Sequence, residues 1–158
     1  LLVDLKQMDS AKHAKYCGVP NELILSNLRM VAEARHDFYL RIPLIEGVNA
    51  DEENITRSAA FLASLPWEHR IVNLLPYHDI GKSKHEKLGT VYNPDRYAFA
   101  APSDETLGRC REIFACYGIE TTIGAEDFSL TRGISAAELT HIDHERKRMT
   151  RYFKPLQK

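Results

Sequence analysis

Residues 38–75 read FYLRIPLIEGVNADEENITRSAAFLASLPWEHRIVNLL, and the periodicity of this stretch decides the fold class. Phe38 to Pro43 and Arg70 to Leu75 are short runs of aliphatic and aromatic side chains, as buried strands require. Between them, Gly47-Val48-Asn49 reads as a turn. Asn49 with Glu52 has the spacing of a helix N-terminal cap. The helix that follows, about 51–64, places Ile55, Ala59, Leu62 and Leu65 or their near neighbours on its inner side. A strand, a helix and a second strand joined this closely make a parallel pair with a helical crossover.

The alternation continues outward from this unit. Leu1 to Lys6 is expected to be a strand, followed by a short helix opened by Asp9 or Ser10 and closed near Gly18. A second helix over about 21–35 carries Leu25, Leu28, Val31 and Ala32 on one face. Pro76 stops the strand that ends at Leu75, and a long Gly- and Lys-containing loop occupies about 77–102. Ser103 caps a helix over about 104–117, with Leu107, Cys110, Ile113 and Phe114 inward and Gly118 ending it. Ile119 to Ile123 is a short last strand. Residues 125–134 are loop-like, and Ser135 with Glu138 forms a capping-box pattern for a final helix ending in HERKRMTRYFK. The class is α/β, with parallel strands alternating with helices. Three such units fit a doubly wound sheet or part of a barrel, and periodicity does not choose between them. A chain that opens with LLVDLK opens inside a core strand, so we expect it to be cut from a longer one.

Length and composition narrow the classes of function. The 158 residues amount to about one domain, and 44 % hydrophobic with 27 % charged residues is ordinary for a globular protein. A net charge of -1 gives no reason to expect nucleic acid or an anionic membrane as partner. No apolar run approaches the roughly 18–20 residues of a membrane span. Cys17, Cys110 and Cys116 are too scattered for a disulfide framework, so a cytoplasmic location is expected. None of them forms a close cluster-ligand spacing.

In a sheet or a barrel of this kind, functional groups gather at the carboxyl ends of the strands. The first strand end brings Asp4 and Lys6, the second Arg41, and the third Tyr77, His78 and Asp79. A carboxylate, two cations and an imidazole on one rim suit a zwitterionic ligand, with Lys or Arg for its carboxylate and Asp for an amine or a cation. Arg41 lies inside an apolar strand and needs a partner there, so a structural salt bridge explains it as readily as ligand binding does. His13, His36, His69, His85, His141 and His144 form no such group; His141 and His144 share a helical turn without a third ligand. The cysteines read as small apolar residues on helices.

Three segments carry a resemblance to a known family. DLKQMDSAKHAKYCGVPNELILSNL, RIPLIEGVNADEEN and LLPYHDIGKSKHEKLG resemble, in order and spacing over about 1–92, the glycyl radical enzyme activating enzymes of the pyruvate formate-lyase-activating type. LLPYH-x-x-GK-x-K-x-x-x-LG is the long and specific pattern among them. The helix and strand at 104–123 are similar to the family's C-terminal elements. The resemblance implies the C-terminal half of a partial (β/α)6, TIM-like barrel over 1–124; 125–158, read as helical from the capping box, is expected to be a C-terminal extension or the end of a divergent gene. It implies a radical S-adenosylmethionine oxidoreductase whose 5′-deoxyadenosyl radical abstracts hydrogen from a backbone glycine of a partner glycyl radical enzyme. A [4Fe-4S] cluster and an electron donor such as flavodoxin or ferredoxin belong to that chemistry. By residue, the resemblance places Asp4, Lys6, Arg41 and His78 on the S-adenosylmethionine side. Asp4 would also hold a monovalent cation, Lys6 and Arg41 would meet carboxylate or ribose oxygens, and His78 would meet the adenosine.

The family's Cys-x-x-x-Cys-x-x-Cys loop is absent from these residues, as is its Gly-Gly-Glu strand end. The implied cluster ligands are therefore outside this chain, no catalytic residue is assigned within it, and it is expected to be inactive alone. Residues 125–158 match no family element. Two other readings stand beside the first: a radical S-adenosylmethionine enzyme with a different substrate, and a cluster-free binding or regulatory module. Half a barrel exposes apolar surface at its open edges, so the isolated chain is expected to self-associate or to be marginally stable.

Overall fold

The computed structural model describes residues 1–36, 38–68, 70–78 and 98–124, all within one unit spanning Leu1–Gly124. Its elements are strand β1 (Leu2–Asp4), helices α1 (Ser10–Cys17) and α2 (Glu22–Glu33), strand β2 (Tyr39–Leu44), helix α3 (Glu52–Ala63), strand β3 (Ile71–Pro76), helix α4 (Asp104–Cys116) and strand β4 (Glu120–Ile123). The expected final helix and most of the expected 77–102 loop lie outside the described residues. Helix starts follow local chemistry. The carboxylate of Asp9 accepts from the Lys12 amide at 2.8 Å, Asp51 from the Asn54 amide at 3.0 Å, and the Ser103 hydroxyl from the Thr106 amide at 3.1 Å. Gly18, at φ 82°, closes α1 in the left-handed region that favours glycine.

The four strands pair in parallel in the order β1-β2-β3-β4. Each crossover between neighbouring parallel strands turns right-handed almost without exception, so an order that never reverses sends every connecting helix to the same face. A doubly wound sheet must reverse its order to cover both faces. The choice that periodicity leaves open is therefore resolved: this is a barrel-type sheet with helices on one side.

Burial follows that arrangement. Along β2 the pattern alternates strictly, with Leu40, Ile42 and Leu44 buried and Tyr39, Arg41 and Pro43 only partly so. Leu5, Leu40, Ile42, Leu44, Val72 and Leu74 form the helix-side face and join Leu28, Ala32, Ile55, Ala59, Leu62, Cys110, Ile113 and Phe114 in one core. Ile55, Ala59, Leu62 and Leu65 are all buried, as the helical period predicts, while Leu25, Val31 and Leu107 pack against the core from its edge. Each fully buried Leu, Ile or Phe contributes about 1.5–3 kcal/mol relative to exposure. Leu1 and Leu2, at the start of β1, stay exposed.

Candidate functional site

The opposite face of the sheet carries a row of polar side chains at a single level. Asp4 pairs in register with Arg41, Arg41 with Asn73, and Asn73 with Thr122. Parallel strands in register point equivalent residues the same way, so these four line one face together. Arg41 donates through Nε to Oδ1 of Asp4 at 2.8 Å, and its Nη2 lies 2.8 Å from the same oxygen. The two side chains are 30 % and 29 % exposed, which leaves them open to a ligand. Further along, Nδ2 of Asn73 donates to the Thr122 hydroxyl at 2.8 Å and to the Gly124 carbonyl at 2.9 Å.

Lys6 and His78 lie at the same end of the sheet. Leu5 extends the β1 pairing by donating its amide to the Arg41 carbonyl at 2.9 Å, and Lys6 follows on the exposed side of that turn. His78 is exposed two residues beyond the end of β3. Among the described residues, neither the Lys6 ammonium nor the His78 imidazole has a hydrogen-bond or ion-pair partner. The structure thus joins Asp4 to Arg41 directly and places Lys6 and His78 past the carboxyl ends of two strands.

Two expectations need correction. Arg41 is not at a strand end; it is the third of six residues of β2, one level below the rim, and reaches its neighbour Asp4 instead. Asn49 does not cap α3. Asp51 is closer to the helix and takes that position, while Asn49 turns inward: its Nδ2 donates to the carbonyls of Lys6 (2.7 Å) and Pro43 (2.6 Å), and its Oδ1 accepts from the Ile45 amide at 2.7 Å.

The other histidines and the cysteines do not join the site. His13 is buried, with Nδ1 2.6 Å from the Val19 carbonyl, a structural tie across the end of α1. His36 is exposed just past the C-terminal end of α2; Asp79, His69, His85, His141 and His144 lie outside the described residues. Cys17 is exposed on α1 and Cys116 on α4, while Cys110 is buried on α4 and burial pushes its thiol up to about 11. Among the described residues, no group of three or more His, Cys, Asp or Glu side chains could hold a metal ion. The residues that sequence reasoning missed are Asn73 and Thr122. A lone Asn inside the apolar run RIVNLL is the signal that marks the first of them, since an unpaired amide in a core strand is costly.

No family model matches the chain. It is 37 % identical over 123 residues to the trans-4-hydroxy-L-proline dehydratase activating enzyme of Clostridioides difficile, which covers 78 % of this chain and 40 % of that enzyme. It is 40 % identical over 130 residues to the choline trimethylamine-lyase activating enzyme of Oleidesulfovibrio alaskensis, covering 77 % of this chain and 39 % of the relative. Among solved structures, a domain of pyruvate-formate lyase-activating enzyme from Bacteroides vulgatus superposes with a TM-score of 0.65 at 51 % identity, over 79 % of this chain and 66 % of that one. The sheet with one helical layer is accordingly part of a radical S-adenosylmethionine barrel. Over about two-fifths of their length, the chain is a homologue of the glycyl radical enzyme activating enzymes of the radical S-adenosylmethionine superfamily.

Proposed function

We propose that this chain forms the S-adenosylmethionine side of an enzyme that installs a glycyl radical on a large partner protein. The observation that carries the reading is the Asp4–Arg41 pair, a partly exposed ion pair on the face of the sheet that the helices leave uncovered. A structural salt bridge alone would not call for two further unpaired ionisable groups, Lys6 and His78, at the same end of the strands. Together these groups match the ligand in kind: Lys6 and Arg41 as donors to carboxylate or ribose oxygens, His78 for the adenosine. Oδ2 of Asp4, which Arg41 does not use, is the oxygen for a monovalent cation. The likeness to activating enzymes supports a glycyl radical enzyme as the protein substrate; flavodoxin or ferredoxin as electron donor and a cytoplasmic setting are part of the proposal.

S-adenosylmethionine, reduced while bound, supplies a 5′-deoxyadenosyl radical for hydrogen abstraction. The part left to these residues is binding and orientation. They do not fit the iron–sulfur cluster, because burial pushes the Cys110 thiol up to about 11 and, among the described residues, no three His, Cys, Asp or Glu side chains gather to hold a metal. We assign the cluster ligands to protein sequence outside these 158 residues and expect the chain alone to be inactive. In this reading 1–124 is the second half of the barrel and 125–158 an extension of it.

The test is to express the full-length gene product without oxygen and record its electron paramagnetic resonance spectrum after reduction. A [4Fe-4S]+ signal that changes on adding S-adenosylmethionine is expected. In that protein, Lys6→Ala and His78→Ala should each weaken S-adenosylmethionine binding roughly tenfold by calorimetry, the worth of one charge-assisted hydrogen bond. Unchanged affinity in both variants would sink the site assignment. No signal and no cluster cysteines would hand the chain to the binding-module reading.

A further inference from the structure

The loop that carries Lys6 is held from below with unusual completeness. Asn49 Nδ2 binds the Lys6 carbonyl at 2.7 Å, Asn21 Nδ2 binds the Gln7 carbonyl at 3.0 Å, and Asn54 Oδ1 accepts from the Met8 amide at 2.8 Å. Three consecutive residues are thus each tied through the backbone to a different side-chain amide. Asn49 and Asn54 are 4 % and 3 % exposed, and Asn54 Nδ2 also donates to the Asn49 carbonyl at 2.8 Å, so the two form one network. The same Asn49 side chain holds Pro43 and Ile45 at the end of β2.

The segment alternates exposed Lys6 with buried Leu5 and Gln7, so its backbone groups are paired by the protein where water does not reach. Burying polar amides is unfavourable unless every one of them is paired, and such networks rigidify what they bind. Here the backbone is fixed while the Lys6 side chain remains exposed and unpaired. Fixing the Lys6 carbonyl fixes the direction in which its side chain leaves the chain. The tie also sets Lys6 relative to β2, the strand that bears Arg41. We infer that Asn49, backed by Asn54, is a positioning residue that presents the Lys6 ammonium to the anionic group of its ligand. The inference rests on Lys6 being a ligand-binding residue.

A double-mutant cycle on the full-length protein tests it, with S-adenosylmethionine affinity read by calorimetry and folding by circular dichroism. Lys6→Ala is expected to weaken binding roughly tenfold and Asn49→Ser about fivefold. If Asn49 acts through Lys6, the double variant binds no more weakly than Lys6→Ala alone. A merely structural asparagine would weaken binding by the same factor in both backgrounds, and that additivity overturns the inference, as does unchanged affinity in Asn49→Ser. Should Asn49→Ser not fold, Asn54→Ser enters the same cycle, because it removes the bonds from Asn54 to the Asn49 carbonyl and the Met8 amide and so loosens the support of Lys6. If Lys6→Ala itself binds normally, the ligand-side reading of Lys6 fails and takes the inference with it.

Discussion

The two faces of the sheet are made from alternate residues of the same strands, yet they obey different rules. Toward the helices, Leu40, Ile42, Leu44, Val72 and Leu74 are fully buried and wholly apolar. One residue along, Tyr39, Arg41, Pro43, Ile71 and Leu75 are only partly buried, and the central level of that face is Asp4, Arg41, Asn73 and Thr122. The first face is held by area removed from water and is insensitive to direction. The second is held by directed pairs, Asp4 with Arg41 and Asn73 with Thr122, which demand register. On that second face Asn73 and Thr122 are themselves buried, and the Asp4–Arg41 pair stays partly exposed.

That contrast can be broken most forcefully from the helix side. Leu74→Ala should cost about 2–5 kcal/mol, because the cavity lies between sheet and helices and cannot collapse easily. Denaturant unfolding of the full-length protein measures it, and a loss below about 1 kcal/mol would mean that the helix-side face does not dominate stability.

The polar face should respond in the opposite sense. Arg41→Met removes one partner of a pair that is about one-third exposed, so solvent screening limits the expected stability change to about 1 kcal/mol or less. S-adenosylmethionine binding should fall much further, at least tenfold by calorimetry. A large loss of stability with intact binding would reverse the assignment and make the pair structural.

The smallest effect sharpens the comparison from within the core. Cys110 faces the helix-side core and its thiol is pushed up to about 11 by burial, ahead of a contribution from Glu46. Its folded value is raised, so the stability it contributes is fully present below the ordinary thiol value of 9.0 and is lost as pH rises through about 11. Iodoacetamide at neutral pH should therefore label Cys17 and Cys116 in the native protein and Cys110 only after unfolding, with mass spectrometry locating the adducts. Rapid native labelling of Cys110 would show that the core opens there.

Part of the candidate site was legible because charged residues inside or just beyond apolar strands are rare. Asp4, Lys6, Arg41 and His78 stand out from LLVDLK, FYLRIP and LLPYH on that ground, with Tyr77 and Asp79 beside them, and the family resemblance selects the four. Asn73 carries the same signal in RIVNLL, but its partner Thr122 is 49 residues away and nothing local announces it. Asn49 was misread for a related reason. A polar residue just before a helix is as good a cap by spacing as by function, and only packing shows that Asp51 caps while Asn49 reaches Lys6, 43 residues earlier.

Periodicity, caps and turn residues by themselves determined the strands, the helices and their order, because those signals act over a few residues: Asp9, Ser103 and Gly18 do locally what their chemistry says. Tertiary structure decided the rest. β1 spans Leu2–Asp4, and beyond it only the Leu5 amide still reaches β2, while the Lys6 and Gln7 carbonyls are taken by the side chains of Asn49 and Asn21. Whether the helices cover one face or two depends on strand order, a relation between segments dozens of residues apart that no window of sequence contains. The same non-local pairing brings Asp4 to Arg41 across 37 residues and turns two isolated charges into an ion pair.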